Sequence, residues 1–146
     1  MVRLEFSIEI ARTAEDIYDL VGNPENDVKW QGAVLEVRKL TPGPLRTGSR
    51  FQHTLRVLGK RMDVDVEISE RQPHSTYVLQ CVSGPLAFET RVRLRRVGRG
   101  TLVDTVVEGR PSGVVRIAAV ALSRHRSAEI DRDLRTLKRL MESGEL

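Results

Sequence analysis

Aromatic side chains make up only 4% of the 146-residue chain: one Trp, two Tyr and three Phe. A domain so short of large rings must fill its centre with aliphatic side chains or leave part of it open. Cysteine is rarer still. The single residue, Cys81, excludes an internal disulfide and fits a reducing, cytoplasmic location. No apolar run approaches the roughly 18 residues of a membrane span, and the opening MVRLEFSIEI alternates in polarity instead of forming the apolar core of a secretory leader. The three histidines, His53, His74 and His125, are scattered without cysteine partners or HExxH spacing, so no metal site is expected. GxGxxG and GxxxxGK are absent too, which removes the common phosphate cradles and leaves no cofactor to expect.

What is present is ordinary for a globular chain: 40% hydrophobic and 30% charged residues, in a length that suits one domain. The net charge is +4 with a pI near 9.7, and the positive excess sits in the C-terminal half. The run RVRLRRVGR, residues 91–99, is basic, yet Arg91, Arg93 and Arg95 share the outward face of a strand, where Asp104 and Glu108 of the next strand can meet them. Without interleaved aromatics it predicts a solvated charged face and no specific nucleic-acid partner.

The segment FQHTLRVLGKRMDVDVEI, residues 51–68, alternates on both sides of Leu58-Gly59. Folding it there pairs Val57 with Lys60, Leu55 with Met62, His53 with Val64 and Phe51 with Val66, and extends to Arg50 opposite Glu67. One face then holds Phe51, His53, Leu55, Met62, Val64, Val66 and Ile68. His53 on that face either completes a hydrogen-bond network, with Tyr77 or a threonine as partner, or faces a cavity.

The same patterning predicts a strand over 3–10, a helix capped by Thr13, and a short helical turn opened by Asn23-Pro24 and ending near Trp30. Strands follow near 33–40, 48–57, 60–70, 76–82, 86–95 and 101–109, with turns at TPGPL, LG, QPHS, SGP and VGRG. After Arg110-Pro111-Ser112 a long helix runs to about Glu142. Its first part, around VVRIAAVAL, is apolar nearly all round, whereas Ile130, Leu134, Leu137 and Met141 form one stripe.

Taken together, the opening strand with ARTAEDIYDLVGNPENDVKW, the LRTGSRF lead-in to a strand, SGPLAFETRVRL, RGTLVDTVVEG and the closing LRTLKRLMES resemble the helix-grip superfamily of START lipid-transfer domains, plant pathogenesis-related allergens and bacterial polyketide cyclase/dehydrase-like proteins (SRPBCC). The resemblance covers nearly the whole chain and implies an α+β helix-grip fold. In it a curved seven-stranded antiparallel sheet, two short helices and one long C-terminal helix enclose a cavity, as a single START-like ligand-binding domain over residues 1–146. It also implies a hydrophobic small-molecule site.

In that architecture the inward faces are Ala33, Leu35 and Val37; Phe51, His53 and Leu55; Met62, Val64 and Val66; Tyr77, Leu79 and Cys81; Phe88, Thr90 and Val92; and Val103, Thr105 and Val107. The candidate ligand contacts are Trp30, Phe51, His53, Leu55, Met62, Val64, Tyr77, Leu79, Cys81, Phe88, Thr90 and Thr105, roofed by Ala118, Ala121 and Leu122. Cys81 among apolar neighbours is expected as a small buried hydrophobe and not as a nucleophile. The leading expectation is a binding protein for a lipid, an isoprenoid or a polyketide-like ring compound. The alternative is a metal-free cyclase or dehydratase with His53 as acid or base, which needs a second acid or base inside the cavity; the alternation places most charges outside it. A third use is protein interaction through the apolar part of the long helix, as monomer or homodimer, and a transient membrane contact there would set Arg116, Arg124 and Arg126 at anionic headgroups.

Overall fold

A computed structural model describes residues 2–83, 87–109 and 115–146, with the backbone alone for 115–123. The elements are β1 (Val2–Ile10), α1 (Ala14–Val21), a 3-10 helix (Pro24–Lys29), β2 (Val34–Lys39), β3 (Arg50–Val57), β4 (Lys60–Gln72), β5 (Thr76–Ser83), β6 (Phe88–Val97), β7 (Gly100–Gly109) and α2 (Val115–Glu142). The seven strands form one antiparallel sheet in the order β1-β7-β6-β5-β4-β3-β2, the helix-grip arrangement. Every neighbour from β2 to β7 is a neighbour in sequence, as short turns require. Only β1 joins from a distance, lying beside β7 with Val2 opposite Gly109 and Ile10 opposite Thr101. The chain between β1 and β2 therefore travels from one edge of the sheet to the other, and the 3-10 helix ends up packed against β2.

Local chemistry accounts for the boundaries. Thr13 Oγ1 accepts from the Asp16 backbone N–H at 3.1 Å and caps α1, and Asn23 Oδ1 does the same for Glu25 with Pro24 at the first helical position. The β3–β4 register is the one that alternation predicts, from Arg50–Glu67 to Val57–Lys60. Its turn places Leu58 at φ 51° and Gly59 at φ 79°, both left-handed. Gly100 is needed for a different reason: a Cβ there would come within 2.7 Å of the Ile10 carbonyl oxygen, so the close approach of β7 to the end of β1 excludes a side chain.

One expectation about a face and one about pairing are corrected. Leu35 does not point inward: it is 37% exposed, while Val34 is buried. A bulge between Val34 and Glu36 sets Val34 opposite Leu55 and Val37 opposite His53, so one extra residue is absorbed and Leu35 turns out. The basic run on β6 also finds other partners. Arg91 pairs with Glu70 at 2.7 Å, reaching over Val78, which lies between them in register, and Val78 is buried beneath. Glu108 instead pairs with Arg3, and Asp104 accepts a hydrogen bond from Ser7.

The core divides in two. Ile17, Tyr18 and Val21 of α1 meet Leu137 and Met141 of α2 over Ile10, Val92, Leu94 and Val103. A smaller cluster, Phe51, Val64, Val66 and Ile68, fills the β3–β4 end with Leu45, Cys81 and Phe88 against it. Burial of each large aliphatic side chain stabilises by about 1.5–3 kcal/mol. Along α2 the stripe is as patterned: Leu134, Leu137 and Met141 are buried. The Arg12 guanidinium donates to the carbonyls of Met141 and Leu146 and ties the end of α2 to the loop before α1.

Candidate functional site

Between the two clusters the concave face of the sheet stays open. Leu79 packs against both clusters, and the cavity beside it is bounded by Tyr77 and Val92 on one side, Val64 and Val66 on the other, and Ile130 and Leu134 of α2 above. Its volume is about 110 Å³, on a scale where one water molecule needs roughly 10–15 Å³. The scarcity of aromatic side chains is the sequence-level cause, since Val, Leu and Thr on a curved sheet do not reach its centre.

Of the candidate contacts, Trp30, His53, Leu55, Val64, Tyr77, Leu79, Phe88, Thr90 and Thr105 all line this space. Phe51, Met62 and Cys81 do not. Phe51 is fully buried in the smaller cluster, Met62 is half-buried toward the hairpin tip, and Cys81 packs on that cluster with its thiol directed to the Ser83 carbonyl at 3.4 Å. Burial pushes the Cys81 thiol up, which keeps it protonated and unreactive. The side chains of Ala118, Ala121 and Leu122 lie outside the described residues.

The main correction concerns charge. Neither Tyr77 nor a threonine pairs with His53; Asp27 does, its Oδ2 2.9 Å from His53 Nε2. Asp27 is 3% exposed and His53 6%, and both line the cavity, which thus contains the second acid or base that strand alternation could not supply. The 3-10 helix explains the placement. With three residues per turn, Pro24, Asp27 and Trp30 stack on one face; Pro24 and Asp27 are buried, and Val28, which an α-helical period would put near Pro24, is 47% exposed.

Burial drives the Asp27 carboxyl above the usual carboxylate range, and the hydrogen bond and charge of His53 oppose the shift. Tyr77 is pushed well above its ordinary value by burial, then by the negative charge of Asp27, so its phenol remains a donor at neutral pH. Asp133 of α2 also lines the cavity; burial raises it although its Oδ1 accepts from the Gly32 N–H at 3.1 Å. Arg126 completes the polar rim, paired to Glu129 at 2.9 Å. Two ring nitrogens of cavity residues, Trp30 Nε1 and His53 Nδ1, are buried without a hydrogen-bond partner among the described residues.

An antiparallel sheet of this order, gripped by a long helix over a mostly apolar cavity, is the arrangement the resemblance implied, and comparison with known sequences decides the family. The sequence model described as "Polyketide cyclase / dehydrase and lipid transport" matches residues 1–142. The chain belongs to this family. No curated protein matches it. Among solved structures, TTHA0849 from Thermus thermophilus is similar over 99% of this chain and 100% of its own, at 13% identity and a TM-score of 0.84. A START superfamily protein from Mycobacterium smegmatis is similar over 97% and 94%, at 14% identity and a TM-score of 0.69. The Aha1 dimer from Colwellia psychrerythraea is similar over the whole of both chains, at 21% identity and a TM-score of 0.70. At these identities the structures share a fold with the family member described here.

Proposed function

We propose that this family member is a single ligand-binding domain that holds a small hydrophobic molecule in the cavity between its sheet and α2. The observation that carries this is the cavity itself: an apolar wall of Leu55, Val64, Leu79, Phe88 and Leu134 with a few polar points, the usual makeup of a small-molecule site. The family description, which includes lipid transport, agrees with an apolar ligand. The volume of about 110 Å³ favours a compound of one or two rings over a two-chain lipid.

Native mass spectrometry of gently purified protein, followed by denaturing extraction, tests it. A reproducible added mass that extraction releases as an apolar small molecule is expected. A clean mass, together with no saturable uptake of ring-sized apolar compounds, overturns the reading.

The buried Asp27–His53 pair favours a second reading, in which the bound molecule is turned over. A histidine oriented by a carboxylate can donate or accept a proton at its free nitrogen, as a cyclisation or dehydration requires. The two readings separate on whether the extracted molecule is chemically altered by the wild-type protein and left unaltered by Asp27→Asn.

A further inference from the structure

α2 is held very unequally to the two edges of the sheet. Beside β1 it is tied down at several points: Glu142 Oε2 accepts from the Ala11 N–H at 2.8 Å, the Lys138 ammonium donates to the Glu9 carbonyl, and Arg12 donates to the carbonyls of Met141 and Leu146. Leu137 and Met141 also pack in the larger core cluster with Ile10. On the β2 side, among the described residues, a single hydrogen bond reaches α2, from the Gly32 N–H to Asp133 Oδ1 at 3.1 Å.

That bond crosses the wall of the cavity. Gln31 and Ala33 of the turn before β2, and Arg126, Ile130 and Asp133 of α2, all line the cavity and are only half-buried, so this wall reaches solvent. Trp30 packs on the larger core cluster, but Gln31, Gly32 and Ala33 do not. Gly32 is exposed, so its N–H exchanges the carboxylate for water if the turn swings out. Asp133 forms no ion pair among the described residues, and Arg126 is engaged by Glu129, which leaves the carboxylate to the Gly32 N–H.

We infer that the turn 30–33 is a flap over the side of the cavity and that Asp133 is the latch that holds it shut. A ligand enters and leaves between this turn and α2, while the helix stays fixed beside β1. This rests on the small-molecule reading above and adds the route by which the site is filled.

A latch sets the rates of exchange and leaves the affinity of the closed site alone. The chain has one tryptophan, Trp30, which lines the cavity, and acetophenone, a ketone that quenches indole fluorescence, serves as the probe in stopped-flow mixing. Asp133→Ala should raise the association and dissociation rates together, about tenfold each, with the dissociation constant unchanged to within about twofold. The opposite change is made by locking the flap. A Cβ at Gly32 would stand 3.7 Å from Asp133 Oδ1, so cysteines at these two positions, in a Cys81→Ala background, meet for a disulfide. Oxidation of Gly32→Cys/Asp133→Cys should slow both rates by more than about tenfold, and reduction should restore them.

Unchanged rates in Asp133→Ala and in the oxidised protein overturn the flap and leave the cavity standing. A faster dissociation alone, with affinity lost in proportion, also overturns it, because Asp133 would then be a ligand contact. Absence of saturable quenching in the wild type and in Asp133→Ala overturns the flap and the small-molecule reading together.

Discussion

Asp27 Oδ2 and His53 Nε2 lie 2.9 Å apart, both buried, although 26 residues and an intervening strand separate them in the chain. The contact joins the 3-10 helix to the middle of β3, and it gives the cavity a buried ionisable pair. Because each partner offsets the burial of the other, His53→Ala should destabilise the fold by about 3 kcal/mol in urea denaturation. Asp27→Asn, which keeps a hydrogen-bonding group at the site, should cost less than half of that. Equal and small effects, under about 0.5 kcal/mol for both, would mean that the pair does not hold the 3-10 helix to the sheet.

Much of the fold was legible in the sequence because period-two alternation and turn residues act locally. The β3–β4 register follows from Leu58-Gly59 and the apolar phase on either side, and the stripe Leu134, Leu137 and Met141 follows from helical period. What escaped is what depends on a change of period. PENDVK can be an α turn or a 3-10 turn, and the latter brings Pro24, Asp27 and Trp30 into line on one face; the buried acid was missed for that reason, and the Pro24-Asp27-Trp30 spacing is the signal that could have found it. From Leu35 the segment LEVR alternates in phase with Val37, which conceals the bulge and misplaces Leu35. The inward set identified most of the cavity wall, because alternation determines facing. It could not separate residues that line open space from Phe51, which is packed solid, because that depends on where α2 crosses the sheet.

Stability should fall as pH rises from the ordinary carboxylate value, for the part that Asp27 and Asp133 contribute. Both carboxyls are raised in the folded state by burial, so between the unfolded value and the raised one the folded chain holds more protons than the unfolded chain. Unfolding then releases protons, and the contribution present below the unfolded value is lost as pH rises through the folded one. Thermal melts from pH 4 to 7 should show the difference between wild type and Asp133→Asn moving against wild type as pH increases. A difference that moves the other way would contradict burial as the dominant cause.

At the hairpin tip, Leu58 has a left-handed backbone at φ 51° and is 64% exposed. Its side chain therefore contributes little packing while its Cβ strains the turn. Leu58→Asn, which supplies the Asn-Gly pair favoured in such turns, should stabilise by about 1 kcal/mol. An unchanged or lowered urea midpoint would show that the leucine makes a contribution its exposure does not suggest.

The bulge in β2 makes a paired prediction. Val34→Ser should destabilise by about 2 kcal/mol, since it puts a hydroxyl at a buried position against the cavity wall, whereas Leu35→Ser should change stability by no more than about 0.5 kcal/mol. The reverse order would restore simple alternation and remove the bulge.

The most direct measurement is a crystal structure of the protein grown with acetophenone. Density for the ring should lie inside the cavity, against Leu79, Phe88 and Leu134. A cavity filled instead by rearranged protein side chains, or acetophenone bound only on the outer surface, would contradict a polar-pointed ligand site.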